Sequence, residues 1–254
     1  MNDALKGKGI LVTRPTAQSG DLTRAITHSG GTAYYLPVID IVPRDSADVS
    51  SELAAMPVPD IAIFVSRNAV LHGAKALRGS TGLKIAAIGP ATRSALSDAG
   101  LETDIFPAGG FDSEHLLEHP ALESLAGKQV LIVRGDGGRE LLADTLRLRG
   151  ATVNYLATYA RKTAIPDGQQ LSGLGESWRE GAIDVVIVMS VDSLTSLLKI
   201  LPADFRELLR KTRLVTPSKR VIQTATELLP GVQAVLADSP QAEGLVGAIT
   251  QMPQ

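Results

Sequence analysis

Short apolar runs recur along the chain, and each is followed by a segment in which the apolar positions have helical spacing. The runs IAIFV, KIAAI, QVLIV and VVIVM are rich in Val, Ile and Leu, and residues 91–99 have the pattern of an amphipathic helix. Continuous apolar runs are typical of strands buried on both faces of a parallel sheet. The pattern predicts five strand-then-helix units in each half of the chain, with helices on both faces of each sheet.

The two halves of the chain repeat each other. An offset of 120 residues places GKGILVTR at Gly7–Arg14 on GKQVLIVR at Gly127–Arg134, so both strands have the same Gly-Lys entry and Arg exit. The matches continue through the next helix and strand at Leu22 and Leu142, Gly30 and Gly150, Thr32 and Thr152, Tyr35 and Tyr155, and Leu36 and Leu156. With a small drift, DIAIFVSRNAV from Asp60 resembles DVVIVMSVDSL from Asp184. The chain is therefore interpreted as an internal duplication.

Two extended apolar segments, Thr32–Pro43 and Thr152–Pro166, are about twice the usual strand length of about 5–6 residues. Each can finish one sheet and cross to the other domain. One domain then takes the first two strands of the first half and the last three of the second half. The predicted boundaries are 1–38 with 164–254 for a discontinuous α/β domain, 43–159 for a continuous α/β domain, and 39–42 with 160–163 for a two-stranded hinge ladder.

Five strand-helix units per domain suit two flavodoxin-like parallel sheets, in which ligands bind beyond the carboxyl ends of the strands. Serine, threonine and glycine at these ends are, one by one, more often helix caps and tight turns than ligands. Collectively, however, the strand ends carry Arg14, Arg67, Arg134 and Arg139 beside helix N-termini, which favour anions. The arrangement predicts a ligand with several carboxylates or phosphates.

Composition narrows the kind of ligand and partner. The chain has 254 residues, 44% of them hydrophobic and 20% charged, with a formal net charge of -2 and no cysteine. This charge gives no overall field to attract nucleic acid or an anionic membrane. No stretch has the pattern of an export signal or of a membrane span. We expect a cytoplasmic protein that binds a small molecule and is a monomer.

The sequence lacks the motifs of several common nucleotide-binding proteins and hydrolases. The chain has no GxxxxGK[ST] sequence, no GxGxxG after a first strand, and no GxSxG nucleophile elbow. His115 and His119 have the spacing of two metal ligands on a helix, but no third ligand is evident, and a solvated or capping role is the favoured interpretation. We expect no cofactor and no metal.

Several segments, taken in order, resemble the uroporphyrinogen-III synthase family over essentially the whole chain. They are ILVTRP from Ile10, LPVIDIVP from Leu36, DIAIFVSRNAV from Asp60, KIAAIGPATRSAL from Lys84, VRGDGGRELLADTLRLRGA from Val133 with the later Tyr159, and GLVGAI from Gly244. The resemblance implies two domains joined by the two crossing strands, with the substrate in the cleft. It also implies cyclisation of the linear tetrapyrrole hydroxymethylbilane to uroporphyrinogen III in haem biosynthesis, with loss of water and inversion of the last ring, ring D.

The resemblance also suggests which residues act. Tyr159 is the candidate catalytic residue, because the reaction needs an acid to assist departure of the hydroxyl. The candidate substrate-binding residues are Arg14, Ser66, Arg67, Gly89, Thr92, Arg134, Gly135, Arg139, Ser190 and Ser218. Ser190 and Ser218 carry over less directly, since the second copy reads MSVDSL and TPSKRV where the first reads VSRNAV and GPATRS. The alternative is a two-domain binding or regulatory protein for an anionic tetrapyrrole or another small polycarboxylate.

Overall fold

The computed structural model describes residues 3–138 and 140–252. Its strands are β1 (Gly9–Val12), β2 (Thr32–Tyr35), β3 (Ile39–Pro43), β4 (Ile61–Phe64), β5 (Lys84–Ala87), β6 (Gln129–Gly135), β7 (Thr152–Thr163), β8 (Val185–Ile187), β9 (Arg213–Thr216) and β10 (Ala234–Leu236). The predicted apolar runs therefore form strands.

Helices follow most of these strands. They are α1 (Gly20–His28), α2 (Ser46–Ala54), α3 (Arg67–Gly73), α4 (Pro90–Asp98), α5 (Ser113–Leu117), α6 (Leu141–Leu148), α7 (Gly168–Arg179), α8 (Val191–Ile200), α9 (Ala203–Lys211), α10 (Lys219–Leu228) and α11 (Ala242–Thr250). Single turns of 3-10 helix occur at Thr16–Gln18, Ala74–Leu77 and Pro120–Leu122. Within the described parts of the chain, no helix is both long and apolar enough to cross a membrane.

The strands form two five-stranded sheets, in the orders β10-β9-β8-β1-β2 and β3-β7-β6-β4-β5. In the first sheet every neighbouring pair is parallel, and the second is parallel from β7 to β5. Read from β2 to β10, the first sheet has the 2-1-3-4-5 order of a flavodoxin-like fold. The predicted fold class, an α/β fold with two parallel-dominated sheets, is confirmed.

The edge strand β3 is the exception to the parallel pattern. The Arg44 amide donates to the Thr158 carbonyl, and the Ala164 amide donates to the Val38 carbonyl. Because one partner's number rises as the other falls, β3 runs antiparallel to β7. The first of the two long extended segments is interrupted between β2 and β3, where Pro37 has no amide hydrogen to donate to a ladder. The second is continuous over the 12 residues of β7.

Each sheet combines strands from both halves of the sequence. In the first, the Asp184 carboxylate accepts the Gly9 amide at 2.8 Å and lies 3.7 Å from Lys8 Nζ. The same contact occurs with the halves exchanged in the second sheet, where Asp60 accepts the Gln129 amide at 2.8 Å and pairs with Lys128. The Gly-Lys entry of the repeat therefore places a lysine where it meets an aspartate from the other half of the chain.

The strands are buried because helices pack on the sheets. All four residues of β1 and of β4 are buried, since helices cover both faces of each sheet. In the second sheet, one face packs Phe64, Leu131 and Leu156 together, and the other packs Ile63 and Ile132 with the helices beyond them. Burying a side chain of this size stabilises the fold by about 1.5–3 kcal/mol. The sheets therefore hold their carboxyl ends in fixed positions.

Internal contacts divide the chain into two compact units. One contains residues up to Asp40 and from Lys162 onwards, and the other contains Ile41–Arg161. The first unit carries the β1 sheet and the second carries the β4 sheet. The predicted domain boundaries and hinge ladder stay predictions.

Asp60 provides a test of the contact between the halves. The Gln129 amide, followed by Lys128, holds the pKa of this carboxyl below its ordinary range. A depressed pKa contributes stability above the unfolded-state value of about 4 and loses it as the pH falls through the folded-state value. Asp60→Asn has no carboxyl to protonate there. We expect its free energy of unfolding, measured with urea, to fall less than that of the wild type between about pH 6 and about pH 3. Equal falls would contradict the assignment.

Candidate active site

A cavity of about 370 Å³ opens at the carboxyl ends of β4 and β6, within the Ile41–Arg161 unit. Its wall contains Ser66, Arg134, Gly135 and Tyr159, all predicted from the sequence as site residues. Its remaining wall includes apolar side chains of the strand ends and the ring of Phe111. The cavity therefore combines an apolar surface with a few polar groups, as small-molecule sites usually do.

Ser66 and Tyr159 form a hydroxyl pair in this cavity. Their oxygen atoms are 3.0 Å apart, and either hydroxyl can donate. Ser66 also caps α3, because its oxygen accepts the Ala69 amide at 3.0 Å. The cap fixes the rotamer of Ser66, and Ser66 in turn fixes the hydroxyl of Tyr159. If Ser66 donates to Tyr159, the phenolic hydrogen is free to point at a ligand.

A bulge in β7 directs Tyr159 into this position. The register with β6 pairs Arg134 with Ala157 but Gly135 with Tyr159, so one residue of β7 has no partner. Regular alternation would place Leu156 and Tyr159 on opposite faces of the sheet. Both nevertheless pack in the same buried cluster. The bulge therefore turns the tyrosine to the Leu156 face, as bulges near active sites often do.

Gly135 makes room for the tyrosine ring. A Cβ built at Gly135 would lie 2.7 Å from Tyr159 Cε2 and Cζ, well inside van der Waals contact. On another side, the His72 ring centroid lies 6.1 Å from that of Tyr159, with the planes tilted by 52°. Burial lowers the pKa of His72, which favours its neutral form beside the ring. Tyr159 is only 5% exposed, and it lines the cavity beside these neighbours.

Arg134 supplies positive charge to the same wall. Its guanidinium Cζ lies 4.0 Å from the centroid of the Tyr155 ring, and its terminal nitrogens donate to Glu140. Arg161 also lines the cavity. A site with a neutral hydroxyl donor and two arginines can bind a carboxylate and assist the departure of a hydroxyl group.

The chain is similar to known proteins over nearly its whole length. The family described as uroporphyrinogen-III synthase HemD matches residues 20–247. A curated uroporphyrinogen-III synthase from Escherichia coli is 32% identical over 248 residues, which covers 94% of this chain and 99% of the relative. The chain belongs to the uroporphyrinogen-III synthase family. The resemblance stated from the sequence is confirmed.

Solved structures of this family have the same fold. A mutant uroporphyrinogen III synthase from Thermus thermophilus aligns with a TM-score of 0.60 at 20% identity, covering 96% of this chain and all of that one. The Helicobacter pylori uroporphyrinogen-III synthetase aligns with a TM-score of 0.62 at 16% identity, covering 94% of this chain and 97% of that one. At these identities the structures support the fold alone.

Three candidate residues of this family member lie in the same unit but outside the cavity wall. Arg67 is exposed at the first position of α3, and Gly89 is the N-cap of α4, where an added Cβ would meet Phe111. Thr92 is 3% exposed inside the first turn of α4. Arg139 lies outside the described residues. The roles of these four in binding stay predictions.

The other unit carries its own strand-end candidates. Arg14 follows β1 and donates to Met189 Sδ at 3.3 Å and to the Pro240 carbonyl. Burial lowers the pKa of Arg14, opposed by Asp21. Ser190 caps α8 through the Ser193 amide, and Ser218 precedes α10. The Ser190 contact is that of a helix cap, whereas Arg14 contacts residues distant in the sequence, and the binding roles of all three residues stay predictions.

The two histidines considered from the sequence have local partners. His115 Nδ1 lies 2.6 Å from Asp112, which raises the pKa of His115, and His119 Nδ1 accepts the Ala121 amide. Across residues 3–138 and 140–252, no group of three or more His, Cys, Asp or Glu side chains is placed to hold a metal ion.

Sequence reasoning missed other parts of the wall. Phe111 is 54% exposed yet lines the cavity, and Arg161 approaches it from the far end of β7. Neither follows a buried strand directly, so the rule that sites form at strand ends does not find them. Glu140 and Tyr155, which contact Arg134 but are not part of the wall, were also missed, although the repeat already pairs Tyr155 with Tyr35.

Gly135→Ala tests whether the tyrosine needs the glycine. The added methyl group would push against the buried ring and separate its hydroxyl from Ser66. We expect a loss of about 1–3 kcal/mol in the free energy of unfolding, since overpacking a core costs this much. Gly168→Ala is the control, because a Cβ there meets nothing within 4 Å. Equal stability of the two variants in urea titrations would show that the ring is not confined.

Proposed function

We propose that this protein converts hydroxymethylbilane to uroporphyrinogen III, with loss of water and inversion of ring D. Membership of the uroporphyrinogen-III synthase family over nearly the whole chain is the observation that carries this function. The protein is a cyclising enzyme of porphyrin biosynthesis. Family membership does not favour the alternative, a binding or regulatory protein without chemistry.

The charged side chains of the cavity wall are two arginines and Asp112, which pairs with His115, and this balance supports an acidic substrate. Hydroxymethylbilane bears eight carboxylates, and a chain with a net charge of -2 must meet them with local cations. Arg134 and Arg161 provide such cations beside an apolar wall that suits a pyrrole ring. Arg14 provides another in the other unit, where Ser190 and Ser218 can add hydrogen bonds. We propose that these groups bind the acidic side chains of the bilane.

Tyr159 assists the departure of the hydroxyl in this proposal. Ser66 donates to the phenolic oxygen, and the phenol donates to the hydroxymethyl oxygen of the substrate. The carbon–oxygen bond then breaks, the hydroxyl leaves as water, and the electron-rich pyrrole stabilises the cation that remains. Ring D is inverted when the cationic carbon bonds to the substituted α-carbon of ring D and the older bond at that carbon breaks. The released chain carbon then bonds to the free α-carbon of ring D, which loses a proton that restores the Tyr159 phenol. These steps depend mainly on the conformation in which the chain is held. Arg134 contributes to that conformation by fixing a carboxylate.

The location, oligomeric state and partners of the enzyme are also proposals. We propose a cytoplasmic monomer whose partner is its small-molecule substrate, without a nucleic-acid or membrane partner. The near-neutral charge supports the lack of a nucleic-acid or membrane partner. Light scattering coupled to gel filtration would test the monomer directly, and a dimer mass would contradict it.

The reaction is tested by supplying hydroxymethylbilane and separating the uroporphyrin isomers after oxidation. We expect isomer III in excess. Formation of the symmetric isomer I alone, which is the spontaneous product, would contradict the proposed function. Binding without a change in the isomers would instead support the alternative of a regulatory protein.

Tyr159→Phe tests the role of the phenol. The ring can still pack against Gly135, but the donor is lost, so we expect formation of isomer III to slow by about ten- to a hundredfold. The share of isomer I should rise as the spontaneous route takes over. Tyr34→Phe is the matched control, since it removes a phenol from β2 in the other unit. Unchanged turnover of Tyr159→Phe would remove Tyr159 from the mechanism.

A further inference from the structure

The guanidinium of Arg134 is held in one place by its neighbours. Its side chain is only 14% exposed, although it lines the cavity. Cζ lies 4.0 Å from the Tyr155 ring centroid, and both terminal nitrogens lie 3.2 Å from the same oxygen of Glu140. A cation–π contact and a charge-assisted hydrogen bond therefore act on the same group.

Glu140 is itself fixed from the other side. Its second oxygen accepts a hydrogen bond from the Tyr155 hydroxyl, so both carboxylate oxygens have partners. That hydrogen bond, followed by Arg134, lowers the pKa of Glu140, and the carboxyl stays ionised at neutral pH. Arg147 is the next cation, at 5.7 Å from the Tyr155 ring centroid, and it pairs with Asp144.

The duplication provides an internal comparison. At the offset of 120 residues, Arg134 and Tyr155 match Arg14 and Tyr35, but Glu140 falls on Gly20. In the first copy the Tyr35 hydroxyl donates to the Arg14 carbonyl instead. The Arg14 guanidinium donates to a methionine sulfur and a backbone carbonyl, both of them neutral. The carboxylate is thus an addition to the arginine–tyrosine pair that lies beside the cavity.

The contact with Glu140 does not use all the N–H donors of Arg134. A guanidinium has five N–H donors, and the Glu140 contact directs two of its nitrogens at a single oxygen. The remaining donors are available to a second anion. A carboxylate in the cavity would share the guanidinium with Glu140 and would feel its negative charge.

We propose that Glu140 is a positioning residue, which presents Arg134 to a carboxylate side chain of the substrate and, by its own charge, limits how tightly that carboxylate binds. The inference rests on the proposed function and adds Glu140 and Tyr155 to the residues that decide how the acidic substrate is held. It also explains why a half-exposed carboxylate stands beside a cavity that receives a polyanion.

Glu140→Gln separates the charge from the shape. The amide keeps an oxygen for Arg134 but removes the competing charge, so KM for hydroxymethylbilane should fall about three- to tenfold. We expect kcat to stay within about twofold, because the guanidinium remains in place. Added salt should raise KM more steeply than in the wild type, since the uncompensated arginine is screened. Glu140→Ala, which lacks the oxygen as well, should lower kcat about three- to tenfold relative to Glu140→Gln.

Two controls isolate the contact. Asp144→Asn removes the same charge from α6, which begins directly after Glu140, without touching Arg134, and its KM should stay close to that of the wild type. In an Arg134→Gln background, Glu140→Gln should no longer lower KM, because the two changes act on one contact. Thermal unfolding of each variant shows that it is folded before kinetics are compared.

The outcomes also distinguish this inference from the proposed function. If the wild type makes isomer III but Glu140→Gln has the same KM as the wild type or as Asp144→Asn, the inference is wrong and the function stands. A persistent fall of KM in the Arg134→Gln background would also overturn it. If the wild type makes no isomer III, the proposed function fails first.

Discussion

The exchange of strands between the two sequence halves is the constraint on which the rest of the structure depends. Gly9 hydrogen-bonds to Asp184 and Gln129 to Asp60, so each first strand begins against an aspartate from the opposite half. These charge-assisted hydrogen bonds attach the start of each strand to the opposite half, and the buried apolar faces specify the register. With the register fixed, parallel strands from both halves have their carboxyl ends at the same end of each sheet.

The cavity is a product of that exchange. Ser66 follows β4 from the first half, whereas Tyr159 lies on β7 from the second, and 93 residues separate them. Their hydroxyl groups meet because β6 lies between β4 and β7 in the sheet. Two independently folded halves, each with its own sheet, would keep these residues apart. The duplicated sequence thus makes a site that neither copy contains alone.

Much of the fold is predictable from the sequence, because strands buried in a parallel sheet are continuous runs of apolar residues. The duplication and the runs that become β4 and β6 follow directly from it. The exact register of β3 against β7 does not, since it depends on how Arg44 meets Thr158 across the sheet. Pro37 is a local signal for the break before β3. From the sequence alone, however, the length of the apolar segment favours one continuous extended strand.

The candidate site is predictable only in part, for a related reason. Strand ends locate a residue along the chain but do not give the direction of its side chain. Thr92 shows this, because it follows a strand end yet is buried in the first turn of α4. Tyr159 shows the reverse case, since simple alternation along β7 would turn it away from Leu156. The bulge opposite Gly135 restores it to the cavity, and a bulge depends on the partner strand as well as on the strand itself. A glycine at the end of β6 is therefore as much a part of the site as the phenol it accommodates, because without that space the ring could not reach Ser66.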